Sequence, residues 1–282
     1  MVYNGAMNLK RIVKNLLVFA KKNYLISFFI IIAGLTGLVI FYKIFTQESQ
    51  VVYVKVKVSQ GLWWANAARP NWWYVQALNK GAVEKGLSGK PIAEILSVQY
   101  YSWYGRDQLD LYLTVKIEAS KNETANTYSF KRSNIAVAAP IELDFGTVQV
   151  TGTIMDISDK PFSDDYVEKK ITLTKRFAYP WEFNAIQIGD TYFDGEQVVF
   201  EILDKKRING TGSYISFLND RDSSTPLNQG EGYTIEVQGK IKLQEIEGKL
   251  FYGSEYAMQV GNELNISTTQ FNFYDYFISS LE

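Results

Sequence analysis

The sequence predicts a mainly β protein in which an N-terminal transmembrane helix precedes two tandem, duplicated small β domains, barrel- or sandwich-like. Three observations carry this. Residues 24–45, YLISFFIIIAGLTGLVIFYKIF, form one apolar run whose only charge is Lys43. Apolar and polar residues alternate with period two in the rest of the chain, most cleanly over 109–119 and 233–243. The elements around those two stretches recur in the same order.

Residues 1–23 read as a basic amphipathic segment. Leu9, Ile12, Val13, Leu16, Leu17 and Ala20 fall on one helical stripe, with Lys10, Arg11 and Lys14 mostly off it and Asn8 placed to cap it. Residues 24–45 follow as the span. A helix of that length, at about 1.5 Å per residue, crosses a hydrocarbon core of roughly 30 Å. The cations before it, without a single Asp or Glu, place the N-terminus in the cytoplasm and the C-terminal domains outside it. A cleaved signal peptide would have a shorter apolar region and a small-x-small site after it, and VIFYKIFTQESQ has none. Ala33 and Gly37 form a small-xxx-small pair that permits close helix approach.

The formal charge of −1 hides an asymmetry. Six basic and no acidic residues precede Gln47, so the remaining 23 basic and 30 acidic residues carry about −7. An acidic exported region argues against nucleic acid as a partner. The chain has no Cys and no His. That excludes disulfides, thiol nucleophiles, Cys-type zinc sites and the Ser-His-Asp and Cys-His mechanisms. The reading is therefore of a non-enzyme, with no cofactor and no metal.

Residues 50–157 read as the first domain. Val52, Val54, Val56 and Val58 face one way from a half-buried strand. Asn71 is placed to cap a short helix through Trp72, Val75 and Leu78, ending near Gly81. A strand follows Pro91. In 109–119, Leu109, Leu111, Leu113, Val115, Ile117 and Ala119 point in, and Asp110, Tyr112 and Thr114 point out. Further strands are expected over 128–132, 141–145 and 147–157. Residues 158–169, SDKPFSDDYVEK, read as a linker. Residues 170–282 then repeat the pattern. AYPWEFNAIQIGD takes the place of NWWYVQALNKG, and Glu201-Ile202-Leu203 that of Glu94-Ile95-Leu96. Residues 233–243 match 109–119, and Ile266 matches Leu143. The extra length of the second copy is confined to a loop at 204–232.

The paired units share A-x-x-x-G-D, then G-x-x-V-x-x-I, an alternating strand and G-x-x-L-x-I. Ala185, Gly189, Asp190, Gly195, Val199 and Ile202 carry the first two motifs in the second unit. Ala77, Gly81 and Ile95 carry them in the first, with Ala82 in the place of Asp. In this the chain resembles an uncharacterised bacterial family of single-anchor membrane proteins, known only as a domain of unknown function. The resemblance implies a bacterial envelope location and a β-rich fold, and no chemistry.

The candidate binding residues are aromatic: Trp63, Trp64, Trp72, Trp73, Trp103 and Tyr101, all in the first domain. Adjacent tryptophans cannot both point inward, because side chains alternate on a strand and sit about 100° apart on a helix. Three roles stay open: filling the core or the junction between domains, contacting a protein partner or the membrane, and stacking on glycan. Asp220, Asp222, Ser224, Asn228 and Glu231 fall at calcium-loop spacing, but Thr225 stands where that loop needs Gly, so 220–231 reads as a solvated loop. Gly189-Asp190 reads as a tight turn. The expected function is a structural or assembly component of the envelope, acting through contacts with envelope proteins. The alternative is an envelope glycan-binding module using the aromatic patch.

Overall fold

The structure is a computed structural model and describes residues 21–45, 49–59, 69–102, 108–122, 125–163, 165–216 and 228–282. The chain falls into two compact units, one through Ser49 and the other Gln50–Glu282. In the first unit α1 (Tyr24–Phe45) is a continuous 22-residue helix. Leu25, Phe28, Phe29, Ile30, Leu35 and Leu38 leave it exposed and apolar around its circumference. Its side chains are described as far as Val39, and among the described residues no helix is long and apolar enough to cross a membrane. The stripe expected over residues 9–20 lies outside the described residues.

The second unit is built of strands. In chain order come β1 (Ser49–Val58), α2 (Trp72–Ala77), β2 (Val83–Lys85), β3 (Pro91–Ser102), β4 (Leu109–Asn122), β5 (Thr127–Phe130), β6 (Ser133–Ile135), β7 (Pro140–Asp144) and β8 (Gln149–Ser158). They form a sheet ordered β2-β3-β4-β1-β8-β7, with β5 and β6 hanging from β4. Then follow β9 (Tyr166–Ala178), α3 (Pro180–Ala185), β10 (Thr191–Phe193), β11 (Val198–Ser216), β12 (Asn228–Ile246), β13 (Lys249–Tyr252), β14 (Tyr256–Ala257), β15 (Ile266–Ser267), β16 (Asn272–Phe273) and β17 (Phe277–Leu281). The second sheet is ordered β10-β11-β12-β9-β17, with β13 and β14 hanging from β12, and β15 pairs only with β16. The chain is thus mainly β, with a nearly closed, barrel-like sheet beside a second sheet.

The two sheets match in detail. The order β2-β3-β4-β1-β8 becomes β10-β11-β12-β9-β17. The ladder slips between Glu84 and Lys85 and again between Tyr192 and Phe193. It slips between Ile95 and Ser97, and between Ile202 and Asp204. Met155 bulges out of the β1–β8 ladder where Ser279 bulges out of the β9–β17 ladder. Backbone bonds recur too. Gly81 N donates to Ile95 O and Ile95 N to Ala82 O, as Gly189 N does to Ile202 O and Ile202 N to Asp190 O. Gly81 and Gly189 both adopt positive φ, +82° and +84°, which the tight turn at each site requires.

Several expectations need correcting. The helix α2 ends at Ala77, before Gly81, and Asn71 serves it through its backbone: Tyr74 N donates to Asn71 O at 3.0 Å, without a side-chain cap. Lys131 and Arg132, expected in a strand, form the positive-φ turn joining β5 to β6. Strands claim both ends of 158–169, because β8 reaches Ser158 and Tyr166 to Lys169 pair with β12. The extra length at 204–232 is largely ribbon. There β11 and β12 pair as far as Ser216 and Asn228, and 217–227, most of the calcium-like stretch, lies outside the described residues.

Alternation supplies the cores. Val52, Val54 and Val56 of β1 pack with Leu111, Leu113 and Val115 of β4, all fully buried. Ile171, Leu173, Ile235, Val237 and Leu243 do the same in the second sheet. Tyr101 and Tyr112, from the first sheet, belong to the second core.

One pair of equivalent positions is mismatched. Ala138 N donates to Ile154 O as Gly261 N donates to Ile278 O, and both residues have positive φ, +68° and +93°. A left-handed alanine costs about 1–2 kcal/mol, more than the extra chain entropy that glycine loses. Ala138→Gly should therefore raise stability by about 1 kcal/mol in denaturant unfolding, and Gly261→Ala should lower it by a similar amount.

Candidate functional site

The two sheets meet where the β10–β11 turn presses onto β3. Asp194 is fully buried there and organises the contact. Its Oδ1 accepts the backbone N–H groups of Glu196 and Gln197, both at 2.8 Å, which closes the turn. Its Oδ2 accepts the Tyr101 hydroxyl at 3.1 Å and Gln99 Nε2 at 3.3 Å, both from β3. Backbone follows side chain: Tyr100 N donates to Asp194 O at 2.7 Å, and the Tyr192 hydroxyl donates to Tyr100 O at 2.6 Å. Four donors replace the water that a buried carboxylate gives up. Gly195 makes the approach possible. Its φ is +107°, and a Cβ there would meet the Val98 carbonyl oxygen and the Tyr100 ring inside contact distance.

A second polar cluster lies on the outward side of β4. Asp110, 1% exposed, accepts Arg69 Nε at 3.2 Å and the Tyr256 hydroxyl at 2.6 Å, with Lys57 Nζ at 3.5 Å. Lys57 also pairs with Glu255, which accepts the Tyr112 hydroxyl at 2.9 Å. Asp110 and Tyr112 were expected to face solvent. They are buried because β13 and β14 of the second sheet cover that face.

Burial pushes the hydroxyls of Tyr101, Tyr112, Tyr192, Tyr252 and Tyr256 well above the usual phenol range. The carboxylates of Asp194, beside Tyr101, and of Asp110 and Glu255, beside Tyr112, add to the effect. Desolvation alone pushes Tyr74 up to about 12. Such groups stay protonated, and all but Tyr252 donate a hydrogen bond; none is poised as a base near neutral pH.

Beside the junction a cleft of about 520 Å³ opens between the sheets. Trp72, Tyr100 and Leu109 form one wall; Tyr192, Phe193 and the 267–269 turn form the other. Asp190 holds that turn: its Oδ2 accepts the Thr268 hydroxyl at 2.5 Å and Gln270 N at 3.0 Å. Gly189-Asp190 is thus a turn that also latches a distant loop, a role Ala82 cannot play in the first sheet. Trp72 meets Tyr100 edge-on at 5.3 Å and remains 46% exposed; Phe193 is 48% exposed. A second cavity of about 500 Å³, lined by Tyr252, Glu255, Met258 and Asn265, shares Ser102 with the cleft.

The sequence-predicted site residues separate. Trp72 walls the cleft, and Trp73 projects beside it, 61% exposed. Tyr101 is 3% exposed and belongs to the junction, so it offers no surface. Trp63, Trp64 and Trp103 lie outside the described residues. Sequence reasoning missed Asp194, Asp110, Phe193 and Trp181. Trp181 had a signal: with Ala185 and Gly189 set over Ala77 and Gly81 it falls on Trp73. The backbone bonds Tyr74 N to Asn71 O and Glu182 N to Tyr179 O place it there too, and it is 60% exposed. Comparison with family models, with curated proteins and with solved structures yields no match.

Two outcomes are expected. Gly195→Ala should cost about 3 kcal/mol or more, because backbone blocks the new methyl group, and urea unfolding should register it. Stability should also fall steeply above about pH 10. A tyrosine whose folded pKa exceeds its unfolded value near 10 stabilises fully below that value and loses the contribution as pH rises, by about 1.4 kcal/mol per pH unit for each group. For Tyr74 the loss runs from about 10 to about 12. The part of the phenolate absorbance that belongs to the buried tyrosines should therefore rise together with unfolding, and not ahead of it.

Proposed function

We propose that the protein is a non-enzymatic, single-pass membrane protein of the bacterial envelope, made of two tandem copies of one β unit and acting through contacts with envelope proteins. Carried through its 22 residues, α1 is about 33 Å long, enough for a bilayer core. Its apolar circumference, without a polar face, suits lipid better than a protein core. The cations before it support an N-terminus in the cytoplasm. The shared strand order, bulges and turn glycines support a duplication.

The observation that carries the functional reading is the pair Trp73 and Trp181. One exposed tryptophan needs no explanation. Here equivalent positions of α2 and α3 both keep one, although the next residues have diverged to Tyr74 and Glu182. Trp181 extends its patch by stacking on Tyr179 at 6.5 Å. Exposed tryptophan is a frequent anchor of protein interfaces, and an identical anchor on each copy suits a partner that is itself repeated.

The tagged full-length chain, crosslinked in cells and purified, should bring down a discrete set of envelope proteins in fixed ratio. Trp73→Ala with Trp181→Ala should abolish that set while leaving the unfolding midpoint unchanged. An eluate whose proteins do not respond to the double variant would sink this reading. External protease should digest the region after α1 in spheroplasts; full protection would reverse the topology.

A further inference from the structure

We propose that the cleft between the two sheets binds one or two rings of a neutral saccharide. The proposal goes beyond the protein-contact reading, since it uses the cleft walls and not Trp73 or Trp181.

Among the described residues, the lining of the cleft contains no ionisable side chain that is charged near neutral pH. An anionic or cationic ligand would leave water there without a counter-charge, which costs heavily. The walls combine aromatic rings with hydroxyls. Trp72, Tyr100 and Phe193 offer apolar ring surface, while Thr191 and Ser267 offer hydroxyls. A purely apolar chain would strip water from those hydroxyls without replacing their hydrogen bonds. A sugar ring matches both features, with a C–H face for stacking and a rim of hydroxyls that donate and accept. The volume, about 520 Å³, lies in the range of small-molecule sites.

An extended peptide fits less well. It would add to the free edge of β10, but that strand is three residues long, and Thr269 N already donates to the Thr191 carbonyl at 3.3 Å. The walls are also well set for recognition. Tyr192 is fixed by its hydrogen bond to Tyr100 O, and the 267–269 turn by Asp190. Little ordering remains to oppose binding. Because each wall comes from a different sheet, the site exists only where the sheets are docked.

The test is isothermal titration of the full-length chain in lipid nanodiscs, which avoids sugar detergents. The probes are N,N′-diacetylchitobiose and maltose, with digalacturonate as the charged comparison. At least one neutral disaccharide should bind in the millimolar range or tighter, with an affinity independent of salt. Trp72→Ala and Phe193→Ala should each weaken binding about tenfold or more. Both residues are half exposed, so their variants should keep the wild-type unfolding midpoint, and a second, more conservative variant, Thr191→Val, should weaken binding without touching the rings. Trp73→Ala with Trp181→Ala should leave sugar binding intact, so loss of the protein partners and loss of the sugar are read separately. No heat from either neutral disaccharide, tighter binding of digalacturonate, or binding that survives Trp72→Ala would each overturn the proposal.

Discussion

The buried carboxylate of Asp194 is the contact on which the arrangement of the second unit depends. Leaving water is expensive for an ionised group, and the expense is met only where every lone pair finds a donor. Two of the four donors are local, in the 194–197 turn; two come from β3, about a hundred residues earlier in the chain. The turn can therefore close alone, but Oδ2 is satisfied only when the sheets dock. Docking then buries Tyr101, Tyr112, Tyr192 and Tyr252 in one body of aromatic packing, with Tyr101 and Tyr252 edge-on at 5.0 Å. This explains why two sheets with separate cores belong to one compact unit.

What could be read in the sequence was whatever is decided locally. Period-two alternation marks β4 and the inner half of β12, because one face of each meets its own core whatever else happens. The same reasoning misplaced Asp110 and Tyr112. Their face of β4 is outward within its own sheet and inward only because the other sheet covers it, a long-range fact that no window of residues contains. The three bulges were invisible for a related reason: a bulge changes register against a partner strand. The length of β11 and β12 was hidden because the polar residues at 204–232 look like loop. As for the site, the tryptophans were conspicuous as a group, but their environments were not. Trp72 walls a cleft made by two sheets, and Tyr101 is consumed by the junction. Phe193 and Asp194 carried no motif beyond lying beside Gly195.

Docking also sets what the surface offers. It creates the cleft, since Trp72 comes from one sheet and Phe193 from the other. It leaves the counterparts Trp73 and Trp181 exposed, although the neighbouring Trp72 walls the cleft. The side chains at the junction are neutral tyrosines and glutamine around the buried carboxylate of Asp194, with Glu196 at its edge accepting Val98 N and pairing with Lys80, and the charged cluster of Asp110, Lys57, Arg69 and Glu255 lies to one side.

The contact between the sheets is head-to-tail: a turn of the second docks on a strand of the first. Heterologous contacts between equivalent units can in principle continue indefinitely. Here the counterpart of the docked turn, Gly86-Leu87-Ser88-Gly89, is free on the first sheet, with Leu87 fully exposed. The counterpart of the receiving strand segment Gln99-Tyr100-Tyr101 is Lys206-Arg207-Ile208 on the second sheet. The next contact in such a series would set Lys85 and Lys90, which flank the free turn, against Lys206 and Arg207. It would also lack the carboxylate, because no acidic residue occupies the free turn. Like charges facing across an interface oppose association, and an unfilled strand edge left neutral would invite it. On the second sheet Lys206 and Arg207 therefore oppose the docking of a further turn flanked by lysines.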